Sequence, residues 1–211
     1  LSQGPPAAMG AVNAGQMFAP IRTKQYETGV KVDWGRLMGT LALFQIKRPS
    51  EFSVGGVFGM NGEQRNRGVE LGVYGEATRG VCVLGGLAYT KGEPTKTENG
   101  AFDGNDAIAV PRVQVNLGGE WDTPFAPGVT LTARAIHTGR QYIDQANELP
   151  LPKWTRVDLG ARYQTRIQGK GVVFRVNLEN AFDKSYWGAA NAGYLYVGAP
   201  RTLLFSAAID L

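Results

Sequence analysis

Residues 25–34, QYETGVKVDW, decide the fold because they alternate strictly. One parity carries Tyr26, Thr28, Val30, Val32 and Trp34, the other Gln25, Glu27, Gly29, Lys31 and Asp33. A period of two places these sets on opposite faces of a β-strand, one apolar and one wet. The split returns at 112–121, where Val113, Val115, Leu117 and Trp121 oppose Arg112, Gln114, Asn116, Gly118 and Glu120. It returns at 156–165, with Val157, Leu159, Ala161 and Tyr163 against Arg156, Asp158, Gly160, Arg162 and Gln164, and at 172–179. Segments 69–75, 81–90, 129–138 and 202–211 follow it less cleanly, and 40–47 (TLALFQIK) is apolar on both parities. The reading is all-β, with nine antiparallel strands.

The connections alternate as regularly as the side chains. Gly35–Gly39, Ala77–Gly80, Thr123–Gly128 and Arg166–Gly171 are short; Arg48–Glu63, Gly92–Val110, Tyr142–Lys153 and Ser185–Ala199 are long. Outer-membrane barrels have this asymmetry, with short periplasmic turns and long extracellular loops. Strands of nine to eleven residues suit a tilted crossing. Trp34 and Trp121 fall at short turns, where an aromatic girdle belongs. This orientation puts residue 1 outside and Leu211 in the periplasm, so nine strands are expected to be the C-terminal part, residues 1–211, of a larger transmembrane β-barrel.

Composition excludes other classes. The 211 residues are 43% hydrophobic and 19% charged, with 29 glycines that follow no three-residue period, which rules out disordered and collagenous chains. No run approaches the ~18 apolar residues of a membrane helix. Cys82 has no partner for a disulfide or a C-x-x-C site, and His137 is the only histidine. Net charge is +4, but the basic residues are scattered singly, often beside an acid, as at Lys31/Asp33 and Arg156/Asp158; nucleic acid is not the expected partner.

Near the C-terminus, VNLENAFDKSYW (Val176–Trp187) followed by GYLYVGAPRTLLFSAAIDL (Gly193–Leu211) resembles the terminal strands of TonB-dependent siderophore receptors. Upstream, TKQYETGVKVD (Thr23–Asp33), GEQRNRGVELGVYGE (Gly62–Glu76) and NDAIAVPRVQVNLGGEWDT (Asn105–Thr123) resemble that family in the same order. The resemblance implies a 22-stranded barrel filled by a plug, of which this chain would be the last nine strands. It also implies a TonB box; neither the plug nor the box lies in this sequence. One departure is the terminal Leu211, where such barrels commonly end in an aromatic residue. The implied function is uptake of a ferric siderophore across the outer membrane of a Gram-negative bacterium, powered through the TonB complex. Iron would enter only as cargo, with no resident cofactor or metal.

Candidate contacts follow from that implication. Phe52, Phe58, Phe102, Tyr142, Trp187, Tyr194 and Tyr196 lie in the long connections, where aromatic rings can cover a bulky chelate. Tyr142 and Trp187 are equally placed for the outer girdle, and Phe52 or Phe102 for packing loops together. Arg112, Arg134, Arg162 and Arg175 lie on the wet parity, to steer an anionic chelate or to pair with Glu120, Asp158, Glu179 and plug acids.

The run DGND (Asp103–Asp106) fails the calcium-loop pattern, since Gln114 stands twelfth where a Glu is needed, and reads as an Asx-type turn. Pro111 starts a strand, where a missing N–H costs least. His137 reads as a surface or lumen side chain and Cys82 as a small filler. GEQRNR (Gly62–Arg67) concentrates polar groups at a rim, suited to hydrogen bonding or to contact with lipopolysaccharide and outer-membrane lipid. Other TonB-dependent cargo such as cobalamin or a glycan, a barrel hydrolase and a passive porin are the competing functions. The hydrolase is disfavoured because His137 has no Ser–Asp arrangement around it.

Overall fold

The computed structural model describes residues 10–189 and 194–210; Leu1 and Leu211 lie outside them. One sheet of nine antiparallel strands contains β1 (Lys24–Asp33), β2 (Leu37–Val54), β3 (Val57–Thr78), β4 (Val81–Lys96), β5 (Val113–Asp122), β6 (Val129–Thr138), β9 (Trp154–Ile167), β10 (Lys170–Glu179) and β13 (Thr202–Ile209), neighbouring in that order. Two small hairpins, β7 (Gln141–Tyr142) with β8 (Pro150–Leu151) and β11 (Trp187–Ala189) with β12 (Leu195–Val197), sit in the last two long connections. All nine expected strands are present. Among the described residues β1 and β13 do not pair, so the sheet is open.

Cross-strand register carries the two parities around the whole sheet. Val30 lies opposite Leu41, Leu41 opposite Leu71, Leu71 opposite Leu87 and Leu87 opposite Val115. Further round, Leu131 faces Ala161, Ala161 faces Val176 and Val176 faces Phe205. Residues directly opposite share a face, so one side of the sheet is a continuous apolar surface. Yet it is bare: Leu43 is 50% exposed, Leu117 48% and Phe205 75%. The described buried hydrophobic residues are only Ala11, Ala107, Leu151 and Val172. An apolar face this wide with no core behind it has lipid as its solvent.

The opposite face carries Glu27, Lys31, Glu70, Asn116, Glu120, Arg134, Asp158 and Arg175, and it lines the lumen. Cys82 is on this side, opposite Glu120. His137 is on the outer side opposite Val115, with Nδ1 2.8 Å from Thr155 Oγ1.

At the short-turn end, Trp34 and Trp121 are exposed on the outer face, and Phe125 meets Trp121 edge-on at 5.8 Å. Gly39 lets Trp34 lie flat on β2, because a Cβ there would come within 2.9 Å of its ring. The β9–β10 turn uses Gln168 and Gly169 at φ 52° and 81°, the left-handed pair of a tight hairpin.

One expectation is corrected. Arg48–Glu63 is not a loop: β2 and β3 run on as a ladder to a two-residue turn at Gly55 and Gly56, giving strands of 18 and 22 residues, and β4 reaches 16. Beyond Lys47 the β1 partner has ended, so β2 is an edge strand there and tolerates Pro49. Projecting above the membrane, this hairpin has water on both faces, and alternation disappears from its sequence.

Candidate functional site

The lumenal wall holds a recess of about 810 Å³ whose lining includes Arg36, Glu120, Arg134, Asp158, Arg162 and Arg175. Strand alternation aims the strand residues among these inward and the register brings them into rows, while Arg36 joins from the β1–β2 turn. Arg162 pairs with Glu120 at 3.3 Å, and Arg134 Nε donates to Asn116 Oδ1 at 2.8 Å. Arg175 lies opposite Arg162 and makes no ion pair among the described residues. Arg156, not among the candidates, holds the acids instead: its guanidinium is 2.9 Å from Asp158 and 3.8 Å from Glu179. The lining therefore presents ion pairs plus two arginines, Arg134 and Arg175, that have no carboxylate partner among the described residues.

Arg112 does not join them. It pairs with Asp106 at 2.8 Å beside the β6–β9 connection, and this carboxylate holds its guanidinium pKa above the usual value. A smaller recess of about 380 Å³ includes Arg112, His137, Arg140 and Lys153 in its lining.

The seven aromatic candidates are spread over the β2–β3 hairpin and three long connections, and no two of their rings stack among the described residues. Phe52 is half-buried next to the irregularity in the β2–β3 ladder. Phe58 meets Phe18 edge-on at 5.8 Å, and Asn13 clamps its backbone with two bonds of 2.9 Å. Phe102 is anchored where its N–H donates to Thr97 Oγ1. Tyr142 accepts a 2.7 Å bond from Arg140, whose guanidinium also lies 5.0 Å over the ring.

Trp187, Tyr194 and Tyr196 are the most open, at 51%, 74% and 54% exposed. Trp187 and Tyr196 share one hairpin, but Trp187 lies opposite Val197 and Tyr196 opposite Gly188, so their side chains leave on opposite faces. Sequence reading missed the pair beneath: Trp154 stacks on Tyr186 with centroids 4.0 Å apart, and the buried Trp154 Nε1 has no acceptor among the described residues. An aromatic next to Trp187 was the available signal for Tyr186; no local pattern marks Trp154.

Two devices fix the loop bases. Asn180, 1% exposed and at φ 50°, receives the Lys184 N–H on Oδ1 and donates from Nδ2 to the carbonyls of Lys184 and Ala199 at 3.0 Å. The second ties two loops together: the Asp106 N–H donates to Asn147 Oδ1 at 2.7 Å, and Asn147 Nδ2 returns a bond to the Asp106 carbonyl at 2.9 Å. Asp103 Oδ1 accepts from both the N–H and the hydroxyl of Thr97, six residues earlier, while the Asn105 N–H that an Asx turn would use donates to the Phe102 carbonyl instead. Asp103 and Asp106 thus serve different partners. Among the described residues, no cluster of three or more His, Cys, Asp or Glu is placed to hold a metal.

Comparison with known proteins fits this architecture. The family described as TonB dependent receptor-like, beta-barrel, matches residues 2–181. The ferrichrome receptor FcuA of Yersinia enterocolitica is 42% identical over 94% of this chain and 27% of its own length. The ferrichrome outer membrane transporter/phage receptor of Escherichia coli K12 is 32% identical over 92% and 27%. Among solved structures, BauA, the ferric preacinetobactin receptor of Acinetobacter baumannii, superposes with a TM-score of 0.86 at 40% identity, over all of this chain and 32% of that one. The chain spans about a quarter to a third of the length of the relatives it matches. Lipid-facing strands, a charged lumen and this match agree: the chain belongs to the TonB-dependent receptor family, as part of its outer-membrane β-barrel.

Proposed function

We propose that these nine strands are one arc of a larger receptor barrel that takes up ferric siderophores, with the remaining wall and a plug supplied by polypeptide outside this sequence. The observation that carries the reading is the 42% identity to a ferrichrome receptor over almost the whole chain, on a fold whose long connections all leave from one rim. Uptake against a gradient would draw on the TonB complex through the region that is not in this sequence. Iron is cargo inside the chelate.

The exposed rings of Trp187, Tyr194 and Tyr196 would cover the chelate's apolar flank. Arg175, in the lumenal recess and without an ion-pair partner among the described residues, would meet oxygen atoms. Phe52 and Phe58, held in the β2–β3 ladder, and Phe102 and Tyr142, anchored in their own loops, would shape the mouth. Radiolabelled-iron uptake by iron-starved cells, with and without a deletion of the gene, tests the reading across a panel of purified siderophores. Uptake lost with the gene for at least one chelate supports it; identical uptake by both strains for every chelate overturns it.

A further inference from the structure

The connection after β10 folds inward, over the lumen. On β9, Trp154, Arg156 and Asp158 share the parity of Arg162, so all three project from the lumenal face as a column at the outer end of the strand. Tyr186, the residue before β11, lies on that column. Its ring stacks on Trp154 with centroids 4.0 Å and planes 23° apart, and its hydroxyl neighbours the Arg156 guanidinium. A connection leaning away from the barrel could not bring Tyr186 to these lumenal side chains. The β11–β12 hairpin that follows therefore stands over the mouth, with β11 against β8 of the neighbouring connection.

Tyr186 holds both strands of that hairpin. Its carbonyl accepts the Gly198 N–H at 2.8 Å, which continues the register of Trp187 with Val197 by one step. A Cβ at Gly198 would overlap the Tyr186 ring, so the phenol packs on bare backbone beyond β12 as well as on Trp154. The face of the hairpin that carries Tyr186 thus meets the wall. Alternation sends Trp187 and Val197 out of the opposite face, where both are exposed and look across the mouth.

One guanidinium supports this seat. Arg156 lies 2.9 Å from Asp158 and 3.8 Å from Glu179, and it also meets the Tyr186 hydroxyl. The side chains of Arg156 and Asp158 are each 14% exposed, so little water competes for their bonds. The planar fork of an arginine can serve partners in several directions, which the point charge of a lysine cannot. Asp158 in turn accepts the Asn180 N–H at 2.8 Å, so the same acid pins the start of the connection. We propose that Arg156 is a positioning residue for cargo: through Tyr186 it keeps the β11–β12 hairpin folded over the mouth and presents Trp187 and Val197 to an arriving chelate, without touching the chelate itself. The part played by the chelate rests on the siderophore reading; the seating of the hairpin does not.

The test uses the intact receptor in mild detergent, with Arg156→Lys, Tyr186→Phe and their combination. Lysine keeps the charge beside Asp158 and phenylalanine keeps the stacked ring, so each single variant removes only the joint between them. Amide exchange at 187–189 and 195–197 should rise about tenfold, the scale of one hydrogen bond to a charged group, with β9 and β10 unchanged. The double variant should exchange no faster than either single one, because both break the same joint. With ferrichrome as the probe, titration of intrinsic fluorescence should show Kd raised by about the same factor, through a faster koff. A direct charge contact with cargo would instead survive in Arg156→Lys and leave Tyr186→Phe silent, which would overturn the proposal. Wild-type exchange of the hairpin in a folded Tyr186→Phe overturns it too, as do additive losses, faster exchange along β9 and β10, or an unchanged Kd beside a loosened hairpin. Folding is judged by heat-modifiable migration on gels, and Tyr186→Phe decides alone if Arg156→Lys does not fold. Failure of the wild type to bind ferrichrome or any other purified siderophore would count against the siderophore reading, and amide exchange would then decide the seating by itself.

Discussion

The backbone N–H of Asn180 donates to Asp158 Oδ1 at 2.8 Å, joining the end of β10 to the middle of β9. Asp158 also takes Arg156, and Asn180 ties down the carbonyls of Lys184 and Ala199, so one short chain of contacts links the lumenal wall to both ends of the β10–β13 connection. Asn180 can hold φ 50° at little cost because Asn tolerates the left-handed region. Asn180→Ala removes three side-chain bonds from a buried site and should destabilise the connection by about 2–4 kcal/mol. Faster amide exchange at 181–189 and faster tryptic cleavage at Lys184, with the nine-strand sheet still protected, would be the signature.

That device was not read from the sequence, whereas the strands were, and the difference has a physical explanation. Membrane-crossing strands must show lipid one parity and water the other, so the apolar set from Tyr26 to Trp34 could be read directly. Above the membrane that constraint ends: RPSEFSVGG (residues 48–56) forms half of a long hairpin yet has no period to read. The lumenal pairs were legible only in kind. Parity put Arg162 with Glu120 on one face, but the choice of Arg156 over Arg175 as the partner of Glu179 depends on side-chain reach across β9 and β10. Loop aromatics were legible by position alone, because the Trp154–Tyr186 and Phe18–Phe58 contacts join residues far apart in sequence.

The reciprocal amide bonds between Asp106 and Asn147 make two outer loops move as one. Asn105 adds a bond to the Gln145 carbonyl at 2.8 Å, and the Ala109 N–H reaches the Tyr142 carbonyl at 2.9 Å. Asn147→Ala should cost about 1–3 kcal/mol of local stability without unfolding the sheet. Limited proteolysis should then cut near Arg140 and Lys153 at a higher rate. An unchanged digestion pattern would show that the remaining bonds suffice.

Glu93 gives the outer rim an acid limit. Arg65, bonded to it, and then Lys91 hold its carboxyl down to about 2, against 4.5 for an unperturbed Glu. A carboxyl whose folded pKa is depressed stabilises the fold fully above its unfolded pKa and loses that contribution as pH falls through the folded one. The shift corresponds to roughly 2–3 kcal/mol after allowing for screening at the half-exposed Lys91. The difference in thermal midpoint between wild type and Glu93→Gln should stay constant from neutral pH to about 5. It should shrink between about 4.5 and 2. A difference independent of pH across that interval would mean that the rim cations do not hold the carboxylate.

Gly188 gives the cleanest separation of ligand contact from folding. Its place opposite Tyr196 leaves no room for a side chain, since a Cβ built there overlaps the phenol ring. The overlap is with the far end of a side chain in an exposed hairpin, so Gly188→Ala should swing Tyr196 aside at a cost of under about 1 kcal/mol. If Tyr196 covers cargo, siderophore affinity should fall by about tenfold, the scale of one aromatic contact, as read by titration of intrinsic fluorescence. Tyr196→Ala should then reproduce the loss, and the double variant should lose no more than either single one, because both remove the same ring from the same place. Additive losses would instead mean that Gly188 itself lies against the ligand, and unchanged affinity in all three would remove Tyr196 from the contact surface.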